Sequence, residues 1–170
     1  IALENQDGQY WVEEILKKDA PEGFIALART EKELVPSERV IRRLNEIPPQ
    51  LFTEDRLLDL LRAYQVHFIR RGKPDGDLQT ATASHLTRLF PHSSTAVNHE
   101  LCELLVFLED PEFLPKLGRM IEKSESTEDL SQYLVFGRYL DDGWDEETKR
   151  IYLQGVQRLE SFPGGQDHQK

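Results

Sequence analysis

Hydrophobic side chains recur every three or four residues along most of the chain, a spacing that places them on one face of an α-helix. The longest such run begins after Thr53, a residue type that caps helices, and ends before Gly72, which favours helix termination. Its apolar positions include Leu57, Leu61, Tyr64 and Phe68. No segment alternates between apolar and polar residues over the length of a strand. The pattern predicts an all-α protein of about eight or nine helices.

Residues 98–120, with the sequence NHELCELLVFLEDPEFLPKLGRM, contain two apolar helical runs separated by Asp110 and Pro111. Proline suits the first turn of a helix, and aspartate is a capping residue type. We therefore expect Asp110 and Pro111 to begin the second helix of a helical hairpin.

Paired helical segments begin near Thr53, Thr95 and Ser126, at intervals of roughly 30 to 40 residues, which is typical of helical repeats. Short turns between consecutive helices favour antiparallel packing of neighbours. The sequence therefore predicts a single domain over residues 1–162, an α-α superhelix of antiparallel helical hairpins, with a linker or tail over residues 163–170.

Charge and composition narrow the possible partners. The formal net charge is -10, and an acidic surface repels phosphate backbones, so nucleic acid is not expected as a partner. No apolar run approaches the roughly 20 residues that a membrane-spanning helix needs, so no membrane span is expected. Glycine-rich phosphate loops and haem-attachment motifs are absent from the sequence, so we expect no cofactor in this chain.

The pentapeptide HELCE that begins at His99 differs by one residue from the HExxH motif of zinc hydrolases. His99 and Glu103 have the i, i+4 spacing of two ligands, and Glu100 occupies the position of the general base. His92 and His85 are conceivable further ligands. One alternative function is therefore a metal-dependent hydrolase using His99, Glu100 and Glu103.

The helical wheel argues against this metal site. The apolar residues of the segment fall within an arc of about 100°; they are Val97, Leu101, Leu104, Leu105 and Leu108. His99 and Glu103 lie nearly opposite this arc, so we expect both to face water as an i, i+4 pair. The favoured interpretation assigns no catalytic, cofactor-binding or metal-binding residue to this chain.

Cys102 is the only cysteine, so neither an intrachain disulfide nor a cluster of thiolate ligands can form. It lies at the edge of the apolar arc and next to Glu103. Since a nearby carboxylate raises the pKa of a thiol, we expect a packing role for Cys102 rather than a nucleophilic one.

A cluster of basic residues lies near the end of the longest predicted helix. Its members are Arg62, His67, Arg70, Arg71 and Lys73. The cluster could bind an anion. The favoured interpretation is that it stabilises the helix C-terminus and pairs with acidic residues such as Asp55 and Asp59.

Four aromatic residues in the C-terminal third are candidates for recognition or for the core. Trp144 precedes a predicted helix capped by Asp145, and we expect it to pack on Thr148 or Leu140, although an exposed recognition role is the alternative. The other three recur at helical spacing, and we expect them in the core; they are Tyr133, Phe136 and Tyr139.

Three stretches together resemble a known helical region. They are LLRAYQVHFIRRGKPD at 60–75, RLFPHSSTAVNHELCELLVFLEDPE at 88–112 and YLVFGRYLDDGWDEETKRIYL at 133–153. They are similar to the HEAT-like helical region of large bacterial exported proteins of the haem-binding, membrane-bound dehydrogenase type. In those proteins a β-propeller resembling quinoprotein glucose dehydrogenase commonly precedes this region, and a c-type cytochrome domain commonly follows it.

The resemblance covers residues 50–165 and carries no catalytic motif. It implies HEAT-like hairpins that serve as a non-catalytic scaffold or protein-interaction module. The implied partners are neighbouring domains of a longer parent chain or another protein. A further alternative is a docking platform for an adjacent c-type haem or dehydrogenase domain, in which case the parent could be a redox enzyme.

The resemblance also implies a periplasmic or extracellular location, while a cytoplasmic one stays open. The chain begins with Ile1 rather than Met, so we expect it to be part of a longer protein.

Overall fold

The computed structural model describes residues 8–30 and 34–162, and within these ranges it contains helices and no strands. In chain order the α-helices are α1 Gly8–Leu16, α2 Pro21–Arg29, α3 Ser37–Glu46, α4 Glu54–Arg71, α5 Gly76–Thr87, α6 Thr95–Leu108, α7 Phe113–Lys123, α8 Thr127–Gly137 and α9 Glu146–Glu160, with a 3-10 turn at Pro49–Leu51 between α3 and α4. The prediction of an all-α protein is confirmed for this part of the chain. None of the helices described has both the length and the apolar character needed to cross a bilayer.

Two compact units divide the chain, residues 1–85 and residues 86–170, called unit 1 and unit 2 below. The boundary falls within the last turn of α5. In each unit, contacts join consecutive helices and also helices two apart, a packing that is consistent with the predicted α-α superhelix. The single domain over 1–162 stays a prediction, and the tail predicted over 163–170 lies outside the described residues.

Unit 1 is built around α4, which packs closely against α2 and also contacts α3. Tyr64 of α4 is fully buried, and its hydroxyl donates a hydrogen bond of 2.9 Å to Oδ1 of Asn45 in α3. The amide of Asn45 in turn donates to Oγ1 of Thr82 in α5 at 3.0 Å. Burial raises the pKa of Tyr64 well above its ordinary value, which keeps the phenol protonated as a donor. A polar link therefore joins three helices inside an otherwise apolar core.

In unit 2, α6 packs against α8, and α7 packs against α8 and α9. The apolar arc predicted for α6 is confirmed, since Val97, Leu101, Leu104, Leu105 and Leu108 are all buried. Arg158 of α9 holds the end of α7. Its guanidinium donates to the backbone carbonyls of Ile121, Glu122 and Ser124 at 2.6, 3.0 and 3.0 Å. These carbonyls have no intrahelical partners at a helix C-terminus, so Arg158 satisfies them.

Side-chain caps fix three helix starts in unit 2. Ser94 accepts a hydrogen bond from the Val97 amide, Ser126 accepts one from the Asp129 amide, and Asp145 accepts one from the Thr148 amide. The cap predicted at Asp145 is confirmed, and the helix predicted to begin near Ser126 begins at Thr127.

The prediction that Pro111 starts the helix after α6, with Asp110 as its cap, is wrong. α7 begins at Phe113, and the residue before it makes no side-chain cap. Asp110 is buried instead, where it accepts hydrogen bonds from the Glu112 amide and from the hydroxyl of Thr87. The two hydrogen bonds satisfy the buried carboxylate. They also close the turn and link it to Thr87 at the end of α5.

Substitution by alanine is expected to have opposite effects on stability at two buried mid-helix glycines, Gly155 and Gly118. A Cβ at Gly155 in α9 would lie 2.6 Å from Cγ2 of Ile121 and 3.1 Å from Cδ2 of Leu134. A Cβ at Gly118 in α7 would meet only ordinary contacts, the nearest at 3.6 Å. We expect Gly155→Ala to lower the free energy of unfolding by about 1–3 kcal/mol through overpacking. Gly118→Ala should raise it by up to about 1 kcal/mol, because alanine favours the helix.

Urea denaturation followed by circular dichroism at 222 nm measures both changes, and Gly118→Ala serves as the matched control. Equal stabilisation by the two substitutions would show that α9 can move away from Ile121 at little cost.

Candidate functional site

Of the two residues of the HELCE segment that were expected to face water, His99 and Glu103, only Glu103 does so. Glu103 is exposed, as predicted, but the ring of His99 packs against α8, with centroids 5.9 Å from Tyr133 and 6.4 Å from Phe136. Its Nε2 lies 3.7 Å from Oδ1 of Asp129, and only a quarter of the side chain is exposed. The expectation that His99 faces water is therefore wrong, since α8 covers that side of α6.

The other proposed ligands have separate roles. Nδ1 of His92 accepts a hydrogen bond of 3.1 Å from the Ser94 amide. The side-chain amide of Asn98 accepts from the His92 N–H through Oδ1 and donates to the His92 carbonyl through Nδ2. His85 belongs to unit 1. In the part of the chain that the structure describes, no group of three or more His, Cys, Asp or Glu side chains is placed to hold a metal ion. His99, Glu100 and Glu103 therefore gain no further ligand from this geometry.

Cys102, a residue of α6, is fully buried. Burial, with a smaller contribution from the Glu103 carboxylate, raises the pKa of its thiol far above the ordinary value. A thiol held protonated in this way is a poor nucleophile. Burial also raises the pKa of Tyr133 to about 12. Both residues fit the packing roles predicted for them.

The predicted basic cluster does not form one exposed site. His67 is 3% exposed, and its Nε2 forms a hydrogen bond of 2.8 Å with Oγ of Ser37 in α3. Burial, and secondarily the charge of Arg71, lower its pKa to about 4, so the ring is neutral at neutral pH. Arg71 donates to the backbone carbonyl of Thr30, and Arg62 to the side chain of Gln65. The cluster predicted from the sequence therefore loses its histidine to the core.

Ser37 and His67 have the contact distance of a nucleophile and its general base, but not its chemistry. A base works best with a pKa near the working pH, and that of His67 lies well below it. The other ring nitrogen, Nδ1, is buried and has no hydrogen-bond partner among the described residues, so nothing there orients the ring as a third member of a triad would.

An open groove lies in unit 2 between the end of α8 and the start of α9, and aromatic, apolar and charged side chains line it. We call it the α8–α9 groove. Its volume is about 650 Å³, and it is lined by Gly137, Arg138, Leu140, Asp141, Asp142, Gly143, Trp144, Lys149, Tyr152 and Leu153. Trp144 is half-buried, donates from its indole Nε1 to the Leu140 carbonyl at 2.7 Å, and meets the ring of Tyr152 edge-on at 5.1 Å. Trp144 therefore contacts Leu140, one of its two expected neighbours, through a hydrogen bond to the backbone carbonyl.

The groove has strongly exposed apolar neighbours. Leu153 on its wall is 61% exposed, and Tyr139, beside the lining residue Arg138, is 60% exposed. Tyr133 and Phe136 are buried as predicted, but the prediction of a core position for Tyr139 is wrong. Tyr139 lies just beyond the end of α8, and the Arg138 guanidinium lies over its ring, 5.6 Å from the centroid.

Sequence reasoning did not single out Leu153 as a surface residue. The available signal was its position off the helical stripe formed by Ile151, Tyr152, Val156 and Leu159, the half-buried apolar residues of α9.

Unit 1 contains a second groove, of about 490 Å³, between α1 and α3. Its charged side chains are largely paired: Arg39 binds Glu13 through its two terminal guanidinium nitrogens, at 2.7 and 2.8 Å, and Arg43 pairs with Asp19. These paired charges are well solvated, and the groove is lined by no aromatic side chain and by no strongly exposed large apolar one. The α8–α9 groove is therefore the better candidate for binding.

No protein-family model matches the chain, and neither curated proteins nor solved structures yield a significant match.

Proposed function

We propose that this chain is a non-catalytic helical scaffold that binds another protein, or a neighbouring domain of a parent chain, through the α8–α9 groove. The observation that carries the proposal is the exposure of Leu153 at 61% on the wall of this groove. Tryptophan, tyrosine and arginine are the residue types that dominate protein interfaces, and Trp144, Tyr152 and Arg138 all line it. An apolar anchor from a partner would remove Leu153 and its neighbours from water.

The reactive side chains of the described residues favour a binding role over catalysis. Cys102 is buried with a raised pKa, His67 is buried with a lowered pKa, and His99 packs between α6 and α8. None of them faces the α8–α9 groove as a lining residue. A catalytic site instead needs a reactive group that reaches substrate in a cleft.

The cellular setting of this proposal rests on the resemblance of residues 50–165 to exported bacterial proteins. In that setting the chain would work in the periplasm or outside the cell as a HEAT-like spacer, and an adjacent c-type haem or dehydrogenase domain would be a candidate for docking. Rigid helical packing suits such a role, because it sets the geometry between neighbouring parts.

Site-specific cross-linking tests the proposal. A photoreactive phenylalanine analogue at Leu153 should give a discrete cross-linked protein in cells of the source organism, whereas the same analogue at Gln154 should not. Gln154 is the matched control, because it is exposed on α9 but does not line the groove. Mass spectrometry identifies the captured partner, which is then purified for binding measurements.

With that purified partner, Leu153→Asp should weaken binding about a hundredfold, as loss of an interface hot spot does, while Gln154→Asp should leave it within about twofold. Circular dichroism checks that both variants keep their helix content. Unchanged affinity of the Leu153→Asp variant would overturn the proposed function.

A further inference from the structure

The loop that borders the α8–α9 groove is strongly acidic. Residues 141–147 read DDGWDEE, with five carboxylates and no cation. Three of these carboxylates have partners within α9. Asp145 accepts from the Thr148 amide at 2.7 Å, Glu146 lies 3.5 Å from Nζ of Lys149, and Glu147 pairs with Arg150 at 2.6 Å.

Asp141 and Asp142 differ from these three. Both are exposed and both line the groove. Within residues 8–30 and 34–162, no ion pair joins either carboxylate to a cation. Gly143, with φ at +87°, turns the chain directly after them in a conformation that favours glycine. The turn therefore places two carboxylates, without ion-pair partners among the described residues, at the edge of the α8–α9 groove.

Each of the two cations that line the groove, Arg138 and Lys149, has a close neighbour. Lys149 has Glu146 beside it, and the Arg138 guanidinium lies over the ring of Tyr139 at 5.6 Å. The contact with Tyr139 leaves the charge of Arg138 in place, so among the described residues the groove keeps two carboxylates and one guanidinium without an ion-pair partner, which is a net negative charge. An acidic ligand would also meet the net charge of -10 carried by the whole chain.

We propose that the α8–α9 groove binds a protein segment in which an apolar side chain is flanked by lysine or arginine. The apolar side chain packs against Tyr152 and Leu153, and the basic side chains lie beside Asp141 and Asp142. This inference rests on the proposed function and adds the chemistry of the partner. Opposite charges at the rim of such a site accelerate association and select the partner, while the apolar contact supplies most of the affinity.

Tryptophan fluorescence tests the inference directly. The chain has two tryptophans, and Trp11→Phe leaves Trp144, inside the groove, as the only reporter. The probes are a short acetylated peptide that alternates leucine with lysine, the same peptide with glutamate for lysine, and the same peptide with serine for leucine. We expect the leucine–lysine peptide to bind at least about tenfold more tightly than either of the other two.

Variants of the two carboxylates locate the charge effect. Asp141→Asn combined with Asp142→Asn should weaken binding of the leucine–lysine peptide about fivefold to tenfold and reduce its dependence on salt. The matched control is Glu125→Gln combined with Glu128→Gln, which removes the same charge from exposed positions at the opposite end of α8. The control should bind within about twofold of the parent protein.

Absence of saturable binding, equal affinity for the lysine and glutamate peptides, or equal loss in both double variants would overturn the inference. So would sedimentation showing that a second copy of the chain occupies the groove. Cross-linking at Leu153 does not depend on charge, so a partner captured there while these peptides fail would leave the proposed function standing.

Discussion

Leu105→Ala is expected to lower the free energy of unfolding by about 2–5 kcal/mol. The side chain lies on the leucine side of α6 and is 0% exposed. Truncation removes apolar surface from the core and leaves a cavity that the surrounding helices fill only partly. Equilibrium denaturation in urea measures the loss, provided that the variant and the parent protein unfold with the same slope.

Two further variants of α6 separate burial from position along the helix. Glu103→Ala, at an exposed site, should change stability by less than about 0.5 kcal/mol. His99→Ala should fall between the two, because its ring contacts Tyr133 and Phe136 but keeps a quarter of its surface in water. Similar losses for Leu105→Ala and Glu103→Ala would contradict the packing of α6 described above.

His67 should make the protein less stable as the pH falls from neutral to about 4. Its pKa is about 4 in the folded protein, against an ordinary value of 6.5. Between these values the unfolded chain binds a proton that the folded protein does not, so acidification favours unfolding. The difference corresponds to about 3 kcal/mol lost across this window, with stability fully retained above the ordinary value.

His67→Gln supplies the comparison, because glutamine can also bond Ser37 but does not titrate. Urea denaturation at a series of pH values should show a shallower loss in the variant, whatever its stability at neutral pH. Carboxylates such as Glu13, whose pKa is lowered chiefly by its hydrogen bond with Arg39, also favour unfolding in acid, but they do so equally in both proteins. Parallel curves for the two proteins would contradict a neutral, buried His67.

Helix positions and the leucine side of α6 could be predicted because both depend on neighbours close in sequence. Ser126 and Asp145 cap their helices through bonds to amides three residues away, and no tertiary information is needed to expect them. The buried arc of α6 follows likewise from the helical period.

The environment of His99 could not be predicted, because a wheel drawn for one helix contains no information about a second neighbour. α8 covers the side of α6 that the wheel assigns to water, and Tyr133 and Phe136 of α8 meet the His99 ring there. The placement of His67 in an exposed basic cluster was wrong for a related reason. His67 lies close in sequence to four cations, but its contact with Ser37 depends on a helix 30 residues earlier.

The candidate site depended on tertiary structure in the same way. The α8–α9 groove is formed where the chain leaves α8, turns at Gly143 and enters α9, so its residues come together only in the folded unit. Trp144 was a candidate from its place beside a helix cap, whereas Leu153 becomes notable only once its exposure is known.

The contact of Arg158 with the end of α7 has a consequence for synthesis on the ribosome. Three carbonyls at positions 121, 122 and 124 obtain their donors from a side chain that is translated 34 or more residues later. Until Arg158 has left the exit tunnel, water must solvate those carbonyls, and the last turn of α7 lacks the clamp that later holds it. The last turn of α7 is therefore stabilised only after α9 has been synthesised, although the rest of α7 emerges from the ribosome earlier.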